Sequence, residues 1–208
     1  LEEIWGYIYG PASQSNWTQT DSSTPSFIQN KPGSASGIAY GFVDLNNLQV
    51  LGAGDKVING VRIGTGGGNK YTNVVLGNAA LPNNTTGVGN LAFGLYSMYM
   101  NTTGDVNTAI GNQTLFYNTT GSSNTAFGDR ALRSNTTASN NTALGAQALT
   151  ENTTGTSNVA IGVNSLVANT TGSGNLAIGF SAGQTITTGG NNIVIGNNAQ
   201  ASAANVFN

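Results

Sequence analysis

The stretch NTAIGNQTLFYNTTGSS, residues 107–123, is followed at once by NTAFGDRALRSNTTASN, residues 124–140. The two share NTA, the Gly that follows one residue later, a central Leu and NTT, and the agreement continues in both directions along the chain. Asn stands at Asn73, Asn90, Asn107, Asn124, Asn141, Asn158, Asn175 and Asn192. Four residues after each comes a Gly: Gly77, Gly94, Gly111, Gly128, Gly145, Gly162, Gly179 and Gly196. Residues 73–208 therefore divide into eight units of 17 residues with none left over. A fixed period of this length marks a supersecondary unit that buries its apolar face only by stacking on copies of itself.

Within one unit, numbered here by places 1–17 from the Asn, the first five residues read as a short strand whose side chains alternate between two faces. The fourth place is large and apolar throughout: Leu76, Phe93, Ile110, Phe127, Leu144, Ile161, Ile178 and Ile195. The third place is Ala92, Ala109, Ala126, Ala143, Ala160 and Ala177, with Val75 and Val194 at the two ends. Neither face carries a charge, so both faces read as buried. The large side chains are expected to fill the coil together with Leu115, Leu132, Leu149 and Leu166 of the ninth place. The small Ala column is then expected where a second chain approaches.

Gly at the fifth place suits a corner that needs positive φ or close backbone contact. The NTTG segment is a turn signal in which Asn and Gly both tolerate left-handed geometry. Two corners per unit close one coil, and coils stacked at ~4.8 Å give roughly 38 Å for eight. The eight first-place Asn are expected to form a ladder of amides running from coil to coil. Unit 7 and unit 8 drift, with Ile186 in place of the turn Asn and Gly183 and Gln200 in place of Leu. Atypical terminal units cap a stack or hand it over to another element, and here a handover is expected.

Composition narrows the chemistry. The 208 residues include 6 Lys+Arg and 8 Asp+Glu, with no His and no Cys. A net charge of −2 offers no basic face for phosphates, so nucleic acid is not an expected partner. No apolar run approaches the roughly 20 residues of a membrane helix, so membrane insertion is not expected. Without His or Cys, Ser–His and Cys–His nucleophilic pairs and the usual zinc sites are excluded. Asp129 and Glu151 sit at the sixth and eleventh places, on different sides of a coil, which argues against a paired-carboxylate glycosidase. The TGGGNK run at 65–70 lacks the spacing of a nucleotide loop. Catalytic, cofactor and metal sites are therefore all expected to be absent.

Before Asn73 the period fades. Residues 61–72 read as a shortened lead-in coil, and 1–60 as a separate attachment or cap region. That region gathers Ile4, Trp5, Tyr7, Ile8, Tyr9, Trp17, Phe27 and Ile28, and 38–52 reads as one or two strands around Asn46-Asn47.

The units NTAIGNQTLFYNTTGSSN and NVAIGVNSLVANTTGSGN resemble the repeats of phage tail-fibre proteins. They are also similar to the head repeats of trimeric autotransporter adhesins, in which three chains wind parallel β-rolls around one axis. NWTQTDSSTPSFIQNKP resembles a segment near the start of phage tail and fibre proteins, and NNIVIGNNAQASAANV resembles the approach to a self-cleaving chaperone domain. The adhesin repeat is shorter, near fourteen residues, and an adhesin also requires a secretion signal and membrane anchor that this chain does not display.

The resemblance implies an all-β parallel β-roll or β-solenoid, wound as a homotrimer, located in the virion or, on the adhesin reading, at a bacterial cell surface. It implies a non-catalytic spacer and host-attachment appendage, joined to tail or baseplate proteins through residues 1–60. Candidate contacts for a host cell-surface receptor are the variable residues Tyr96, Tyr99, Phe116, Tyr117, Arg130 and Arg133. A third reading comes from the Thr columns, such as Thr102, Thr119, Thr136 and Thr153. A flat Thr ladder orders water, which would make the chain a single-chain ice-binding solenoid.

Overall fold

The computed structural model describes residues 55–58 and 60–200, which belong to one compact unit, Ala53–Asn208. The expectations for 1–54 and for 201–208 fall outside the described residues.

Among the described residues ten strands form one sheet in chain order: β1 Lys56–Ile58, β2 Val61–Gly64, β3 Val74–Gly77, β4 Leu91–Phe93, β5 Thr108–Ile110, β6 Thr125–Phe127, β7 Thr142–Leu144, β8 Val159–Ile161, β9 Leu176–Ile178 and β10 Ile193–Ile195. From β3 onward every pairing is parallel and the register advances by one unit, as in Ala92↔Ala109 and Ala109↔Ala126. The architecture is a β-solenoid of about seven turns with a 17-residue repeat.

The lead-in is a different device from the shortened coil expected at 61–72. β2 runs antiparallel to both β1 and β3, so the stack opens on a hairpin rather than on another coil. The sequence Asn59-Gly60 is a two-residue hairpin signature, and Gly60 stands at φ +81. Asp55 fastens this cap: its carboxylate accepts the N–H groups of Thr65 and Gly66 and pairs with Arg62.

The two strand faces are also the reverse of the expectation. Ala92, Ala109, Ala126, Ala143, Ala160 and Ala177 are fully buried inside the coil, where they meet Met98, Leu115, Leu132, Leu149 and Leu166. Phe93, Phe127, Leu144, Ile161, Ile178 and Ile195 point outward. With no exposed surface, the Ala column cannot serve as a seam between chains. The reason is volume. In units 1 to 6 each turn encloses one Leu or Met, a small eighth-place residue such as Ala131 or Ser97, and the amides of two inward Asn. Only a methyl fits opposite that set, since a close-packed interior tolerates little excess volume.

Unit 7 supports the volume argument. Its ninth place is Gly183, and a Cβ there would meet Leu166 Cδ2 at 3.0 Å and Ile186 Cδ1 at 3.3 Å. Ile186 therefore reaches from the turn into the space that Leu fills elsewhere, and it is buried.

The first-place Asn form a ladder. Each Oδ1 accepts the backbone N–H of the next Asn, as in Asn107 to Asn90 at 2.9 Å and Asn124 to Asn107 at 2.9 Å. Each of the Nδ2 groups from Asn73 to Asn158 donates to a carbonyl of the far turn, for example Asn124 to Ala138 at 2.9 Å. A buried amide is stable only when such partners are present.

Among the described residues twenty non-glycine residues have positive φ, and they are not the Asn of NTTG. They fall mainly at the seventh and ninth places, such as Gln113 (φ 54), Leu115 (φ 48), Arg130 (φ 56) and Leu132 (φ 50). A left-handed L-residue costs about 1–2 kcal/mol. Coil-to-coil bonds offset that cost, because the reversals direct successive N–H groups to opposite neighbours. Gln113 donates to Leu95 of the coil before and Leu115 to Ala131 of the coil after.

Candidate binding surfaces

Three outward surfaces result from this packing. The first is the fourth-place column, which the parallel register aligns strand upon strand: Phe93↔Ile110↔Phe127↔Leu144↔Ile161↔Ile178↔Ile195. Exposure runs from 36% at Ile178 to 59% at Ile195 for six of them, with Ile110 half-buried. Taking ~200 Å² for a large side chain, the strip presents on the order of 500 Å² of apolar surface. Patches of that size on soluble proteins are commonly functional.

The second surface follows the glycine corner, on units 2 to 4. Tyr99 and Phe116 stack with ring planes 9° apart and centroids 5.2 Å apart. Tyr96 meets both edge-on, at 5.6 and 6.2 Å, and Tyr117 meets Phe116 edge-on at 4.7 Å. The Arg133 guanidinium lies 5.0 Å from the Tyr117 ring centre and 5.7 Å from that of Phe116. Its Nε donates to Gln113 Oε1 at 3.0 Å. Five of the six candidate receptor residues thus form one cluster. The sixth, Arg130, stands apart with its Nε 3.9 Å from Asp129 Oδ2, and Asp129 also accepts from Asn112 Nδ2 at 2.8 Å.

The third surface is the double Thr column of the NTTG turns. The first Thr of each pair directs its hydroxyl at the next coil: Thr102, Thr119, Thr136, Thr153 and Thr170 donate to carbonyls at 3.0–3.2 Å. Those hydroxyls serve the stack, whereas an ordered water layer would need them facing outward. Among the described residues no group of three or more His, Cys, Asp or Glu could hold a metal ion, and no helix is long and apolar enough to cross a membrane.

The reading of NTTG as a plain turn missed a second amide ladder. Asn84, Asn101, Asn118, Asn135, Asn152 and Asn169 are buried, and each Nδ2 from Asn101 onward donates to the preceding Asn Oδ1 at 2.8–3.0 Å. Each also caps its own turn at the carbonyl three residues on, as Asn118 does at Gly121. The signal was present, because an Asn repeating in register with the first ladder has the same chance to stack. The ladder ends where Ile186 replaces Asn, and Asn169 Oδ1 is left buried without a hydrogen-bond partner.

Comparison of the chain with protein-family models, with curated proteins and with solved structures returned no match.

Proposed function

We propose that this chain is a segment of a phage tail fibre, a rigid homotrimeric spacer that carries a host-attachment surface and does no catalysis. The observation that carries the reading is the aligned apolar column from Phe93 to Ile195 on the outer face of the strands. A lone solenoid would leave that strip in water along most of its length. Three copies meeting along it would bury it, and the seam is therefore assigned to the fourth-place residues instead of the Ala column. Coil-to-coil backbone hydrogen bonds and two buried Asn ladders give the stiffness a spacer needs, since every coil is held by its neighbours. The Thr hydroxyls bonded within the stack weigh against the ice-binding alternative.

The test is the solution mass by light scattering after size exclusion of the unheated full chain. The expected value is three times the chain mass of 21.1 kDa. The double variant Phe127→Lys with Ile161→Lys should shift it to one chain. A wild-type monomer would overturn the trimer. Antiserum raised against the repeat should label phage tails, and labelling confined to bacterial surfaces would favour the adhesin reading instead.

A further inference from the structure

We propose that Tyr96, Tyr99, Phe116, Tyr117 and Arg133 form a binding site for a hexuronic acid unit of a polysaccharide. The inference deepens the attachment reading and rests on it for its biological use.

The repeat itself shows that the fold does not need these side chains. At the tenth place, where units 2, 3 and 4 have Tyr99, Phe116 and Arg133, units 5 and 6 have Thr150 and Val167. At the eleventh place Tyr117 is followed by Ser134 in the next unit. The same coil is built with small or polar residues there, and the backbone bonds continue unchanged, as in Tyr117 to Arg133 at 3.0 Å and Ser134 to Thr150 at 2.9 Å. Four rings and a guanidinium have been placed on a scaffold that closes without them.

Their chemistry selects the ligand. Tyr96 and Tyr117 keep 37% and 41% of their surface exposed, which leaves ring area open to a C–H face such as that of a pyranose. Arg133 is held in place by the rings and by Gln113, and it makes no ion pair among the described residues. Of its five N–H donors, only Nε has a partner there, so the terminal fork is free for a carboxylate in bidentate geometry. The other nearby cation, Arg130, already has Asp129 beside it. A ligand that satisfies both halves needs an apolar face for the rings and a carboxylate at its edge for the fork. A hexuronic acid has both. A neutral sugar would offer the fork only hydroxyls, and a nucleic acid would find, beside the rings, one cation without an acidic partner on a chain of net charge −2.

The experiment is calorimetric titration of the full chain with oligogalacturonate and oligoglucuronate, each as free acid and as methyl ester. At least one free acid should bind, ten-fold or more tightly than its ester. Arg133→Thr should bring acid and ester within two-fold of each other, and Tyr117→Ser should weaken both ten-fold or more. Both substitutions install residues that the next coil already carries at the same place, so the fold is retained. Light scattering on the same samples separates the two ideas. A trimer that binds neither acid, or binding indifferent to both variants, overturns the site and leaves the fibre standing. A monomer that binds as described overturns the trimer and leaves the site. A fall in mass on Tyr117→Ser would make the rings an inter-chain contact and overturn the site.

Discussion

Replacing Asn118 by Ala should cost far more than a surface position on a repeat protein would suggest. The side chain is fully buried, and its amide makes three hydrogen bonds: Nδ2 to Asn101 Oδ1 at 2.8 Å, Nδ2 to the Gly121 carbonyl at 2.9 Å, and Oδ1 from Asn135 Nδ2 at 2.8 Å. A typical buried hydrogen bond is worth ~1 kcal/mol net, and an orphaned buried partner costs about 1–3 kcal/mol. The expected loss is ~3–5 kcal/mol, allowing for water reaching part of the vacated space. Asn169 provides the internal comparison. It makes only the two Nδ2 bonds, to Asn152 Oδ1 at 2.9 Å and the Gly172 carbonyl at 3.0 Å, while its Oδ1 is already unpartnered. Asn169→Ala should therefore be milder by ~1 kcal/mol or more. Asn135→Ala, in mid-ladder, should match Asn118→Ala. The assay is equilibrium guanidinium unfolding followed by far-UV circular dichroism at one fixed chain concentration, with midpoints compared at constant slope. Equal losses at Asn118 and Asn169, or a loss below ~1 kcal/mol at Asn118, would refute the ladder as a source of stability.

Other positions give sharper or gentler effects. Gly128 stands at φ +131, and a Cβ there would lie 2.6 Å from the Gly145 carbonyl atoms, so Gly128→Ala should abolish soluble folded protein in an expression assay. Gly121→Ala would put a Cβ 2.3 Å from the Ala138 carbonyl oxygen and 2.4 Å from Asn118 Oδ1, so the coils must shift. It should cost more than the ~1 kcal/mol of one hydrogen bond in the same unfolding assay yet still fold, because unit 4 already holds Ala138 at that place. The coil there lacks the bond corresponding to Thr120 N–H to the Thr136 carbonyl. Asp55→Ala removes the acceptor of the Thr65 and Gly66 N–H groups and the partner of Arg62. Amide exchange in β2 should then speed up by ten-fold or more while that of β6 stays unchanged. Thr119→Val removes one half-exposed hydroxyl bond to the Thr136 carbonyl, and the unfolding midpoint should correspond to a loss below ~1 kcal/mol.

The period, the strands, the corner glycines and the first Asn ladder were all legible in the chain, because each depends on one residue type returning every 17 residues. Stacked identical coils turn such a return directly into contact. The five-residue ring cluster was legible only as a set of residues departing from the repeat. That Arg133 reaches the Tyr117 ring of the coil before it, while Arg130 turns to Asp129, depends on side-chain geometry that spacing does not record.

The inside and outside of the coil were decided by tertiary structure alone. Alternation along N-x-A-(I/L/F)-G distinguishes two faces but not which one the chain encloses, and here both faces are apolar. Enclosure depends on the direction in which the backbone turns at Gly111 and its equivalents, and on the volume left once two Asn amides and one Leu are inside. That volume admits Ala109 and excludes Ile110. The left-handed residues had no sequence signature either, because Leu115 and Leu132 adopt φ near +50 through coil-to-coil hydrogen bonds and not through any preference of leucine.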